Sequence, residues 1–380
     1  MSESAPPPPA DAEARIPLFA DPLAGWVNHD ILLDKDARRR LGAAHPQALR
    51  VLDWPELRAL FNKHEAPANH HARRDRRLAL ASVLVGVAAL VTAAFAPLSD
   101  VGAGTAWPVV PGALAVLLAL AAGVLAIGQV LAARSNAGWL GSRYWTERAR
   151  GLYFQVLVNN LDLAARAMTD DAALGAWKRT RAQALDALPP AGDLAGRVRD
   201  MTRDVADDEV WIVPAWRAAP PAPEPSPHLD LLLSCLRAQR MDVQIDYSRR
   251  KLGDSLATPR RQADAARRAA GALTVAAVTA AGLAGLLLTV GFTPHALGVR
   301  AVVAVAAAAA ALALGLRAVN DSLFPASDLV RYAWYNAAAV QARAQFDSGD
   351  LEARIDALRA MEGHAYRDLR GFIASHTRPR

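Results

Sequence analysis

Cysteine is almost missing from this 380-residue chain: Cys235 stands alone. One thiol excludes an intrachain disulfide framework and any cysteine-based zinc site. Lysine is nearly as scarce. Only Lys35, Lys63, Lys178 and Lys251 stand among 43 basic residues, the arginine bias expected of GC-rich bacterial DNA. A secretory leader is not expected, because MSESAPPPPADAEAR is proline-rich and acidic where a leader needs positive charge and then an apolar core. No run alternates with the period of two that marks a strand. The net charge of +6 is too thinly spread for a dedicated nucleic-acid binder, and no nucleic-acid partner is expected.

Motifs of chemistry are also lacking. Gly102-Ala103-Gly104 has no following Gly-Lys-Ser and is not a phosphate loop. His64, His70 and His71 have no cysteine or third ligand beside them, and Asp207, Asp208 and Glu209 read as a solvated helix end. With no Ser–His–Asp pattern, zinc spacing or nucleotide fingerprint, neither enzymatic activity nor a cofactor or metal is expected.

What is abundant is apolar: 53% of residues, gathered in two blocks. Leu78 to Leu98 is 21 residues without a charge, after Arg73, Arg74, Arg76 and Arg77. At ~1.5 Å per residue this spans a hydrocarbon core of ~30 Å. Asp100, Gly102 and Gly104 make a turn, Trp107 sits at the outer edge, and Val109 to Ala133 follows until Arg134. The second block repeats the plan. Arg260, Arg261, Arg267 and Arg268 precede Ala269 to Phe292; Thr293, Pro294, His295 and Gly298 turn; Ala301 to Leu316 ends at Arg317. Arginines flank both hairpins on one side, which puts both termini and the central region in the cytoplasm of a bacterial inner membrane.

The expected fold is therefore an all-α integral membrane protein, with four transmembrane helices as two hairpins and cytoplasmic helical extensions. The division runs as an N-terminal region 1–77, a first hairpin 78–133, a helical region 134–218 and a Pro-rich linker 219–228. A pre-hairpin helix 229–268, a second hairpin 269–317 and C-terminal helices 318–380 complete it. Thr169 with Asp170 and Asp171 caps a cytoplasmic segment ending at Pro189-Pro190, and Asp350 caps another. Arg143-Tyr144-Trp145 after the first hairpin and Arg331-Tyr332-Ala333-Trp334 after the second suggest an internal duplication.

No ionisable residue lies near the middle of any span, which disfavours an ion-coupled carrier. Small residues recur four apart at Ala115, Ala119 and Gly123, at Ala277, Ala281 and Gly285, and at Ala307, Ala311 and Gly315. Such faces let helix backbones approach and point to a homo-oligomer in the lipid bilayer, although an alanine-rich composition produces them too.

The stretch Leu236 to Tyr247, LRAQRMDVQIDY, continues through Arg249, Arg250 and Lys251 into the second hairpin, and Tyr332, Trp334 and Tyr335 follow it. It resembles the SLATT-type two-transmembrane effector domains of bacterial conflict systems, whose members often carry Gln-aliphatic-x-Tyr upstream of the hairpin, here Gln244, Ile245 and Tyr247. The resemblance covers residues 229–375, and more loosely 55–165, where Phe61 to His71 lacks the Gln-x-x-Tyr step. It implies a pore-forming or membrane-perturbing effector acting with a nucleotide-signalling or ligand-sensing partner, in antiphage or conflict defence. The alternative is a non-catalytic membrane anchor or scaffold. Gln244, Tyr247, Tyr332 and Trp334 are the candidate junction, either gating the hairpin or merely packing beside it.

Overall fold

The computed structural model describes residues 30–96, 98, 109–188, 209–252, 259–294, 296–323 and 326–377. Among them all regular structure is helical. The helices are α1 (Lys35–Ala44), α2 (Pro46–Leu52), α3 (Pro55–Phe95), α4 (Val109–Val158), α5 (Leu161–Arg166) and α6 (Asp171–Asp186). After them come α7 (Pro227–Leu236), a π-helical turn (Arg237–Asp242), α8 (Val243–Leu252), α9 (Pro259–Thr289), α10 (Leu297–Leu323), α11 (Ala326–Ser348) and α12 (Leu351–Thr377). The tip of the first hairpin, with Asp100, Gly102, Gly104 and Trp107, lies outside the described residues, as do Asp207, Asp208 and His295.

Local sequence explains where helices start. Asp34 accepts from the Ala37 amide, Asp170 from Ala172 and Asp350 from Ala353, each at 2.9 Å. Ser226 does the same for Leu229 at 3.2 Å, with Pro227 at the first helical position. Pro46 and Pro55 open α2 and α3 in the same way, where a missing N–H costs nothing.

The arginines before Leu78 lie within α3. α3 runs 41 residues and α4 runs 50, about 60 and 75 Å at ~1.5 Å per residue. Each carries its apolar stretch at one end and core residues at the other. Two helical segments among the described residues are long and apolar enough to cross a membrane, Ala263–Thr289 and Leu297–Asn320; a shorter apolar segment, Leu80–Phe95, lies in α3. Helix α10 also continues past Arg317, whose Nη2 donates to Thr274 Oγ1 on α9 at 3.3 Å.

The apolar helices form a row, not a closed bundle. α3 packs along α4 and on its other side meets α10, which packs along α9. The order is α4–α3–α10–α9, and among the described residues the two outer helices make no extended contact with each other. α3 and α10 come close where Gly315 faces Val87; a Cβ at Gly315 would collide with Val87 Cγ2. Outward-facing side chains such as Val275, Val278 and Leu286 are more than half exposed.

At the other end of α3 and α4 lies one core drawn from both sides of the Pro-rich segment. Leu57, Phe61, Leu152, Phe154, Met168 and Trp177 share it with Leu232, Leu233, Met241, Tyr335, Leu358 and Met361. Fully burying a side chain of this size contributes about 1.5–3 kcal/mol. Trp177 Nε1 donates to the Val51 carbonyl (3.1 Å), Tyr153 to Leu52 (2.8 Å) and Arg181 to Asp53 (2.7 Å), so three side chains serve the C-terminal end of α2. The Pro-rich segment lies against this body. Arg359 donates to the carbonyl of Trp216 at 2.8 Å and to Asn159 Oδ1 at 2.6 Å, and Pro220, Pro221 and Pro223 border a groove of about 220 Å³ beside Asn160 and Ile355.

Candidate functional site

The π-helical turn Arg237–Asp242 lies between α7 and α8. One extra residue in a helical turn rotates the face that follows, and such turns are frequent at functional sites. Here Gln239, Arg240 and Met241 are all buried. Arg240 Nε pairs with Glu362 Oε1 at 2.7 Å, both side chains at most 2% exposed, and its guanidinium lies 4.5 Å from the centre of the Phe154 ring. Arg237, Asp242, Arg343 and Asp347 form ion pairs around the rim of the turn.

Past this turn α8 presents Gln244 inward. Its Nε2 donates to Asp30 Oδ2 at 3.2 Å, and its Oε1 accepts from the Tyr335 hydroxyl at 3.4 Å. Ser248, one turn on, donates to Asn336 Oδ1 at 3.0 Å, so α8 is tied to α11 twice by polar contacts. Asp30 is fully buried and meets Arg150 Nε at 2.6 Å. Arg150 also pairs with Glu147, which bonds Arg143 at 2.5 Å. The His64 ring of α3 stacks on Trp145 of α4, with centroids 4.2 Å apart. Helices α3 and α4, which carry apolar stretches, thus meet α8 and α11, which flank the second hairpin, at one buried polar junction.

Charge is balanced tightly there. Burial pushes the Glu147 carboxyl up, but the Arg143 and Arg150 guanidiniums outweigh it and hold the group at about 2. Arg150 is held above its ordinary value, since Asp30 and Glu147 overcome the burial that opposes its charge. Glu65 of α3 goes the other way: burial raises it, and Arg150 and Arg143 offset this in part. Tyr335 is likewise raised, chiefly by burial.

The candidate junction residues do not all meet. Gln244 is buried, and Tyr247 packs edge-on against Tyr332, with centroids 6.0 Å apart and planes at 76°. Lys251 sits over both rings, 5.8 Å from Tyr247 and 6.0 Å from Tyr332. Trp334 lies elsewhere. It is 41% exposed and meets the His364 ring at 5.8 Å, while Tyr335, one residue on, turns about 100° into the core.

The small-residue faces divide in the same way. Ala311 is buried and Gly315 forms the close approach to α3. Ala119 and Ala281 are exposed, and a Cβ at Gly123 or Gly285 would meet nothing within 4 Å. Asp30, Glu147, Arg150, Arg240 and Glu362 are the residues that sequence patterns did not single out. Among the described residues no three His, Cys, Asp or Glu side chains gather as metal ligands. No family model matches the chain, and neither a curated protein nor a solved structure matches it.

Proposed function

We propose that the chain is a four-span protein of the bacterial inner membrane, with both termini in the cytoplasm. In this reading it is an oligomeric pore-forming or membrane-perturbing effector, gated through its cytoplasmic helices. The observation that carries the reading is the junction itself. α3 and α4 run without a break from their apolar segments into the contacts around Arg150 and Glu147. α8 enters the second hairpin from Gln244, and α11 leaves it through Tyr332 and Tyr335. A shift at this one place therefore acts on all four apolar helices. Gating needs two arrangements whose balance a signal changes, and the hydrogen bonds of Gln244 are the contacts a signal would exchange. A row of four helices encloses no path by itself, so a pore requires several copies. The exposed faces at Ala119 and Gly123 and at Ala281 and Gly285 lie on the two outer helices of the row. The SLATT resemblance, carried by Gln244, Ile245 and Tyr247, points the same way.

The test is membrane potential, followed with a dye at matched expression. The intact protein should depolarise the host, and Gln244→Ala with Tyr247→Ala should relieve this without lowering the inserted amount. Absence of depolarisation favours the second reading, a membrane scaffold. That reading has its own support in α11, which exposes Val330, Trp334 and Val340 to a potential partner.

A further inference from the structure

Some cations near the apolar helices have a carboxylate beside them. Arg250 pairs with Asp246 at 2.9 Å, Arg267 with Asp264 at 3.6 Å and Arg331 with Asp368 at 2.6 Å. Five do not. Arg73, Arg74 and Arg77 on α3 and Arg249 on α8 are exposed, with no ion-pair partner among the described residues. Lys251 is held over the Tyr247 and Tyr332 rings, which fix its ammonium without neutralising it.

Each group borders an apolar hairpin. Lys251 lies 6.0 Å from the ring of Tyr332, near the start of the helix that follows α10. On α3, Arg73 to Arg77 lie about 5 to 10 Å along the axis from Leu80. α3 then enters its apolar segment at Leu80, and the segment that follows α8 begins at Ala263.

We propose that Arg73, Arg74, Arg77, Arg249 and Lys251 form a basic collar that binds the headgroups of anionic phospholipids in the cytoplasmic leaflet. This rests on the four-span reading above. The chemistry is charge complementarity: each unpaired cation near an anionic leaflet adds attraction that zwitterionic headgroups do not supply. Tyrosine rings favour the same headgroup level, so Tyr247 and Tyr332 place Lys251 where phosphates lie. Pinning α8 to the lipid surface would also tie headgroup composition to the position of Gln244, one turn from the Tyr247 ring.

The experiment uses the full chain in nanodiscs of equal parts phosphatidylglycerol and phosphatidylcholine. After extraction in mild detergent, the lipids that stay bound are quantified by mass spectrometry. The expected result is retention of phosphatidylglycerol over phosphatidylcholine by about five-fold or more. The variant R73Q/R74Q/R77Q/R249Q/K251Q should retain the two lipids in their input ratio. R73K/R74K/R77K/R249K, which keeps every charge, should retain the preference, and a thermal midpoint of the glutamine variant near wild type shows that its loss is not misfolding. Equal retention by the wild-type protein overturns the proposal. Displacement of phosphatidylglycerol by millimolar inorganic phosphate overturns it in favour of a soluble phosphate ligand. Carbonate washing separates the underlying reading: a chain stripped from membranes by alkali refutes the spans and the collar together, while an alkali-resistant chain without lipid preference refutes the collar alone.

Discussion

Gln244 and Asp30 are 214 residues apart in sequence, and the Gln244 amide donates to the Asp30 carboxylate inside the core. The same carboxylate oxygen meets Arg150, so one atom joins the segment before α1, the long helix α4 and the helix that enters the second hairpin. Removing one member of a buried ion pair leaves its partner's charge uncompensated and costs about 3–5 kcal/mol. Arg150→Met should therefore lower the unfolding free energy by that amount in detergent. Gln244→Ala, which strands the Tyr335 hydroxyl, should cost about 1–3 kcal/mol. Because the two share Asp30, the double variant should lose less than the sum of the single ones. Strict additivity in denaturant titrations would show that the residues do not act through one carboxylate.

Acid stability follows from Glu147. Its folded value of about 2 lies below the ordinary 4.5, so the folded protein holds this proton less tightly than the unfolded chain. Ionised Glu147 thus contributes stability that is fully present above about pH 4.5 and is lost as pH falls from there through about 2. Glu65 has the opposite sign. Its raised carboxyl takes up a proton in the folded state first, which offsets part of the loss as pH falls toward 4.5. Thermal midpoints measured against pH should show a flatter acid limb for Glu147→Gln and a steeper one for Glu65→Gln. An unchanged acid limb in Glu147→Gln would remove that carboxylate from the account.

The glycines on the two hairpin faces separate folding from assembly. Gly315 is pressed against Val87, so Gly315→Leu has no room and should part α10 from α3 within one chain. Gly285 opens onto empty space, so Gly285→Leu should leave the fold and thermal midpoint near wild type. If the outer helices carry the contacts between copies, Gly285→Leu should also shift light-scattering mass toward the monomer. A Gly315→Leu protein as stable as wild type would rule out the close α3–α10 approach.

Helical content and several boundaries are legible in the sequence because they depend on local chemistry. Asp170 and Asp350 sit where caps are needed, and Ala269 to Phe292 has no charge for 24 residues. Gln244 and Tyr247, three apart on α8, both reach α11, through Tyr335 and Tyr332. What could not be read is long-range. Arg240 and Glu362 are 122 residues apart, and each looks like an ordinary surface charge on an amphipathic helix until the π-helical turn carries Arg240 inside. α3 runs on through Arg73, Arg74 and Arg77 into its apolar stretch, since arginine is a good helix former. Trp334 lies two residues from Tyr332, so the two face about 200° apart around α11, and it is Tyr332 that meets Tyr247.

Topology is the remaining prediction, and it bears on every reading of function. Arginines gather before the first apolar run, after the second, before the third and after the fourth, while the two tips carry only Asp100 and Arg300. Positive charge is retained on the cytoplasmic side, so four spans place positions 60, 180 and 375 together there. The shared core supports this grouping, since Phe61 of α3, Ala184 of α6 and Leu358 of α12 belong to it. Reporter fusions after residues 60, 180 and 375 should all report cytoplasm, and fusions near Gly102 and Pro294 should report the opposite face. If the first hairpin instead lies along the surface and only Ala263–Thr289 and Leu297–Asn320 cross, the fusion near Gly102 will report cytoplasm while the one near Pro294 does not. That single difference decides between two spans and four.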